Sequence, residues 1–332
     1  MKKSIIEQLT DSFIPLITEQ YEKAETEEQR NAISQSLEKL DVSSLLVDVI
    51  NKCSETTLPV LKEDMFKQVL WARDVEDEFL ARLRQKWQRA FIASEAMYIM
   101  VLEVARSYSD RIDKLSKIEK QDKAHRYYAL KCLHGRVLQQ FSEIVSLMKN
   151  GFADGAYSRW RSIYELGIVS SFIANETEEV AIAFVKSSET DDNYNWAKAS
   201  NKLKKYESVR FKDIVKHSKF PSGQWNTSYK LACKIVHPSS QGTFKRLGNA
   251  GTGTTEFILV GRSDYGMTKP GGHSAIVLLQ VTALYLSLFP SVEEVIALNC
   301  IKGWVDFVCN EYSNAHDEAF PDVEPIKHKK ET

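Results

Sequence analysis

The chain has few cysteines, no long apolar run and almost no net charge, and each shortage removes a class of protein. Its 332 residues carry five cysteines, Cys53, Cys132, Cys233, Cys300 and Cys309. The number is odd and no Cys-x-x-Cys spacing occurs, so neither a disulfide framework nor a zinc site is indicated, and the reading is a reducing cytoplasm. The most apolar stretch, Ala275 to Phe289, is shorter than a membrane span, contains Gln280 and Thr282, and ends at Pro290. We therefore expect no membrane partner. The opening Met1-Lys-Lys-Ser-Ile-Ile-Glu7 has a basic start, but Glu7 and Asp11 interrupt the apolar core a secretory signal needs, so we read an amphipathic helix. With 44 basic against 45 acidic residues, no global field draws the protein to nucleic acid.

What is present is ordinary globular composition, 43% hydrophobic and 27% charged, in a chain long enough to bury a sizeable core. Apolar residues recur three or four apart almost throughout, which predicts an all-α protein. We expect a small helical N-terminal extension over 1–58 with Lys52 to Pro59 as its exit, a main helical-bundle domain over 59–315, and a loose polar tail over 316–332. A long helix should run from Lys62 to Tyr108 and another from Lys123 to Lys149. Helical segments are also expected at Glu176 to Lys186 and Tyr194 to Val209, with Asp191 to Asn193 as a cap between them. Glycine gathers in 241–272, where Glu256-Phe-Ile-Leu-Val260 is a β-type run between turn signals, so an inserted β-hairpin or flap is expected there.

Two segments carry chemistry on otherwise apolar elements. From Phe152 to Ile173 the apolar residues occupy nearly the whole circumference of a helix, which predicts a central one. Arg159, Arg161 and Glu165 on it must be paired or line a polar cleft, because an unpaired buried charge is costly. In the second segment, Trp225 to His237, Tyr229, Cys233 and His237 lie four apart, and Pro238 stops the helix. A histidine there sits at the negative end of the helix dipole.

Three motifs in order, Arg159-Trp-Arg-Ser-Ile-Tyr-Glu165, Tyr-x7-His-Pro ending at Pro238, and Gly261-Arg-Ser-Asp-Tyr-Gly-Met-Thr-Lys-Pro270 followed by Leu279-Gln-Val-Thr282, resemble a widespread microbial domain-of-unknown-function family. The resemblance spans roughly 75–310. It implies a mostly helical fold with the flap, and a setting in phage defence or toxicity. It points at Arg159, Arg161, Glu165, Tyr229, His237, Tyr265 and Gln280, with Lys269 standing where an acidic residue is expected. A second stretch, Arg210-Phe-Lys-Asp-Ile-Val-Lys-His217, fits the Arg-x4-6-His spacing and is similar to HEPN-type helical ribonuclease toxins, although Phe211 is not the polar residue such motifs place after arginine.

The functional expectation is a metal-independent, ribonuclease-like site without cofactor: His237 as general acid/base, Arg161 or Arg159 steadying a phosphate, Glu165 orienting, and Tyr229 beside them. Gln280, Tyr265 and Ser240 are candidate ligand contacts. RNA or a nucleotide would be the partner, a further protein of a defence system could join, and two copies could share the cleft. The alternatives are a non-catalytic sensor of a small anion or nucleotide, and a structural subunit. Read blandly, Arg161 and Glu165 form an internal ion pair and His237 merely ends a helix. The basic stretch Lys202 to Lys219 is then a solvated face, and Gly248 to Thr255, lacking a Gly-Lys-Ser/Thr ending, is a turn.

Overall fold

The structure, a computed structural model, describes residues 15, 18–38, 42–120, 122–190, 193–221, 223, 225–244, 246–249 and 259–321. Among these the regular structure is helical and no strand occurs. The principal helices are α1 (Glu27–Glu38), α2 (Val42–Asp113), α3 (Lys117–Lys120), α4 (Ala124–Lys149), α5 (Ala153–Asn175) and α6 (Glu178–Lys186). They continue with α7 (Phe211–His217), α8 (Asn226–Val236), α9 (Ser240–Phe244), α10 (Thr268–Leu286) and α11 (Val292–Ala319).

The chain divides into two units, Met1–Val75 and Glu76–Thr332. In the first, α2 runs through the segment expected to be a connection, with Pro59 inside the helix. A proline there deletes one backbone hydrogen bond and kinks a helix without having to end it. The Thr56 hydroxyl donates to the carbonyls of Lys52 and Cys53, 3.0 Å each, just before it.

The second unit is built around α5, as the all-round apolar pattern predicts. Ala156, Tyr157, Trp160, Ile163, Ile168, Phe172 and Ile173 are fully buried, and α5 packs against α4, α10, α8 and α7. Helix α10 also packs on α4 and α11. Charges at the edge of this core are paired: Glu311, 6% exposed, meets Arg89 Nε at 2.8 Å and Nη2 at 2.9 Å. Between α4 and α5 the chain turns at Gly151, whose φ of +79° suits glycine. A side chain there would crowd Phe79 and Arg262.

Two expectations about local structure need correction. Tyr194 to Val209 is not a helix: it holds a short 3-10 turn at Asn195–Ala199 that packs Trp196 inward, and then irregular chain that packs Leu203 inward. The Asn195 side chain accepts from Val209 N at 3.1 Å, so a side chain replaces a helical carbonyl. The described parts of 241–272 are also not a hairpin. They comprise α9, a turn at 247–249, extended chain, and the first turn of α10 from Thr268. Most of the expected strand at 256–260, like the Asp191–Asp192 cap, lies outside the described residues.

Candidate functional site

Three of the expected site residues come together. On α5, Arg161 and Glu165 are one turn apart, and Arg161 Nε donates to Glu165 Oε1 at 2.9 Å. From α8, the Tyr229 hydroxyl donates to the same oxygen at 2.6 Å. The Arg161 guanidinium also lies over the Tyr229 ring, 5.6 Å from its centre, an electrostatically favourable stack. Arg161 and Glu165 remain 24% and 30% exposed, so the cluster borders solvent. Burial first, and then the Glu165 carboxylate, push the Tyr229 phenol above its ordinary range. It therefore stays a hydrogen-bond donor at neutral pH. Tyr194 is raised in the same direction, by burial and then by Glu165, with Arg161 opposing.

The cluster adjoins a cleft of about 460 Å³ lined by Tyr164, Phe211, Lys212, Val215, Gly223, Asn226 and Tyr229. Tyr229 belongs to both. Burial pushes the Tyr164 phenol up to about 12, and its ring lies 5.2 Å from that of Tyr229. Tyr194 and Phe211 continue the aromatic wall, 6.0 Å apart. The volume falls within the range of small-molecule sites, which are mostly apolar with a few placed polar groups. Behind Tyr164, Trp160 stacks at 5.6 Å and meets Trp225 at 5.7 Å. Both tryptophans are at least nine-tenths buried, and neither indole N–H has a partner among the described residues. Two donors are thus left beside the cleft wall.

The other expected residues lie elsewhere. Arg159 points to the opposite side of α5 and pairs with Glu143 on α4 at 2.7 Å. His237 follows the last turn of α8 with extended backbone, as Pro238 requires. It is exposed, and no contact joins its ring to Arg161, Glu165 or Tyr229 among the described residues. Eight residues of helix separate it from Tyr229, about 12 Å of rise. Ser240 begins α9 and is exposed. Tyr265 is buried against His316 and Phe320, at 5.4 and 5.0 Å between rings. Gln280 lies on α10 with its Oε1 buried and without a partner among the described residues. Lys269, in the first turn of α10, has no ion pair with a described residue, and burial lowers its amine. Arg210 is 70% exposed and turned to Asp213 at 4.0 Å, whereas His217 ends the same short helix with a buried Nε2 that has no partner among the described residues.

Sequence reading missed the α7 wall. Phe211 and Val215 are four apart on a helix whose other face is charged, and that spacing was the available signal. Among the described residues no group of three or more His, Cys, Asp or Glu side chains could hold a metal ion.

An all-helical unit with an aromatic cleft between α5, α7 and α8 is the class this geometry defines. Residues 127–219 match the model of a family of unknown function (DUF5677). The matched segment contains Arg161, Glu165, Tyr164 and the α7 wall, and stops short of Tyr229. No curated protein and no solved structure matches the chain. No described helix is long and apolar enough to cross a membrane.

Proposed function

We propose that the cleft binds a planar, anionic small molecule of the nucleotide class, and that the protein reads this ligand without transforming it. The observation carrying the reading is the combination of aromatic walls, Tyr164, Phe211 and Tyr229, with two cations, Arg161 at the cluster and Lys212 at the lining. A base stacked on such rings gains about 1–3 kcal/mol per contact. Arg161 gives its Nε to Glu165 and its guanidinium also hydrogen-bonds with Tyr229, which holds the group in one plane from which it can pair with a phosphate. Glu165 orients Arg161 and Tyr229, and Lys212 adds a second positive charge.

Binding is favoured over ribonuclease chemistry by the position of His237, the histidine expected to act as general acid/base. Cleavage through a ribose hydroxyl needs a base within hydrogen-bond reach of that hydroxyl. His237 sits exposed beyond the end of α8, while the Glu165 carboxylate beside Tyr229 already accepts two hydrogen bonds on one oxygen. A cytoplasmic sensor within a microbial defence system is the setting that fits the three-motif resemblance.

The test is a thermal-melt screen of the full chain against nucleoside mono-, di- and triphosphates, cyclic nucleotides and a short single-stranded RNA. At least one should raise the melting temperature of the wild type, and Phe211→Ala and Lys212→Glu should abolish that rise while melting normally alone. The reading is overturned if no nucleotide shifts the wild type, or if both variants respond as the wild type does. Cleavage of the RNA that is lost in His237→Ala would restore the ribonuclease reading in its place.

A further inference from the structure

A different feature, in the first unit, points to a partner. The residues Val47, Ile50, Ser54, Leu58, Leu61, Met65, Val69 and Ala72 of α2 follow one another at spacings of three, four, four, three, four, four and three. At 100° per residue they form one stripe along the helix, about 40 Å long. The stripe is uncovered: Val47, Ile50, Leu58, Leu61, Met65 and Val69 are 54, 50, 52, 46, 49 and 49% exposed. The rest of the circumference is mixed: Lys67 reaches Glu63 and Asp64 at 4.0 and 3.8 Å, while Val60, Phe66, Leu70 and Trp71 add further exposed apolar surface outside the stripe.

The spacing reads the same in both directions about a point between Leu58 and Leu61. We propose that this stripe is the interface of an antiparallel helix pair made with a second copy of the chain. Turned end for end, the copy places Leu61 against Leu58, Met65 against Ser54, Val69 against Ile50 and Ala72 against Val47. Met65 thus meets the small Ser54 and Val47 the small Ala72, while Val69 and Ile50 form an aliphatic layer between them. Beside the stripe, Glu55 of one copy comes opposite Lys62 of the other, twice by symmetry, an attractive pairing of flanking charges. The three-four-four period is an 11-residue repeat, which lets two helices stay in contact with little supercoiling. Six half-exposed apolar side chains and their flanks on each copy bury on the order of 1,200 Å² in total, enough for a specific association. An equal stripe on a second copy covers the full length.

Sedimentation equilibrium of the full chain should give a dimer, and Leu58→Glu with Leu61→Glu should give a monomer whose main melting transition is unchanged. Glu55→Lys should weaken the dimer and Lys62→Glu in the same chain should restore it. Orientation is read separately, in a Cys53→Ser background. Leu58→Cys and Leu61→Cys proteins should cross-link when mixed and not when oxidised alone. Self-cross-linking of each single variant means a parallel pair and overturns the proposal. So does a monomeric wild type across the micromolar range, whether the stripe is then covered by Ile5 to Ile17 or by nothing. None of these outcomes depends on the cleft, so failure of the nucleotide reading leaves the proposal standing and failure here leaves that reading intact.

Discussion

Replacing Glu165 by alanine removes the acceptor that joins α5 to α8, and the cost can be worked from its contacts. Glu165 Oε1 takes a hydrogen bond from Arg161 at 2.9 Å and from Tyr229 at 2.6 Å. A hydrogen bond to a charged group contributes about 1.5–3 kcal/mol net. Because Arg161 and Glu165 are 24% and 30% exposed, water replaces part of that, and the pair of bonds is worth about 2 kcal/mol together. In a unit of this size the loss lowers the melting temperature by about 5 °C. Tyr229→Phe keeps the ring over Arg161 and deletes one bond, for about 1 kcal/mol. The two changes act on one oxygen, so the double variant should melt close to Glu165→Ala alone, with a coupling of about 1 kcal/mol. Calorimetry of the four proteins at neutral pH provides the comparison. Strict additivity, or a Tyr229→Phe protein as stable as the wild type, would refute the claim that this carboxylate locks the two helices.

Two further outcomes follow from the core. His134 is fully buried, bonded to Thr282 Oγ1 at 3.0 Å, and burial lowers its pKa to about 4. Below the unfolded value near 6.5 the unfolded chain gains a proton that the native one refuses. Stability is therefore intact above about pH 6.5 and falls as pH drops toward 4, by roughly 3 kcal/mol at most. The difference in urea-unfolding free energy between wild type and His134→Gln should narrow across that window, and a pH-independent difference would count against the assignment. At Gly271 an added Cβ would lie 2.4 Å from the ring of fully buried Tyr312, which is itself held by Ser94 at 3.1 Å. Gly271→Ala should cost about 1–3 kcal/mol through overpacking; a melting temperature within 1 °C or so of the wild type would show that the α10–α11 contact can relax.

Much of the helical unit could be read from residue spacing because burial imposes it directly. An apolar residue at almost every angle put α5 in the centre, and Pro238 set the end of α8 at Val236, with His237 already extended. The Arg161–Glu165–Tyr229 cluster was legible for a related reason: two charges on a central helix need a partner, and an apolar helix bearing a tyrosine supplies one. Arg159 was misplaced with them because its acceptor, Glu143, comes from the packing of α4 on α5, which spacing along one chain does not encode. Pro59 was overread as a terminator, since a single missing N–H is weaker than the turns on either side of it. The irregular, turn-rich chain after Ala199 has helical composition, and the Asn195 bond to Val209 that holds it is invisible in a pattern. The cleft itself arises where α7 stands off from α5 and α8, a property of three elements together.

The two ends of the segment between α9 and α10 are tied to the same place. Arg246 donates to Leu259 O at 2.6 Å and to Asp154 at 3.2 Å, Leu247 N donates to Asp154 at 2.8 Å, and Ser263 Oγ donates to Gly248 O at 2.6 Å. Ser263 N is in turn fixed to Gly151 O at 2.9 Å. With both flanks, 246–249 and 259–263, fastened in this way, added length between them leaves the flanks in place, because a longer connection costs only about 0.6 kcal/mol per doubling. That makes this interval the natural splice point in this protein. A fluorescent domain inserted there would report on the helical unit from within the chain, leaving both termini and the exposed stripe of α2 free.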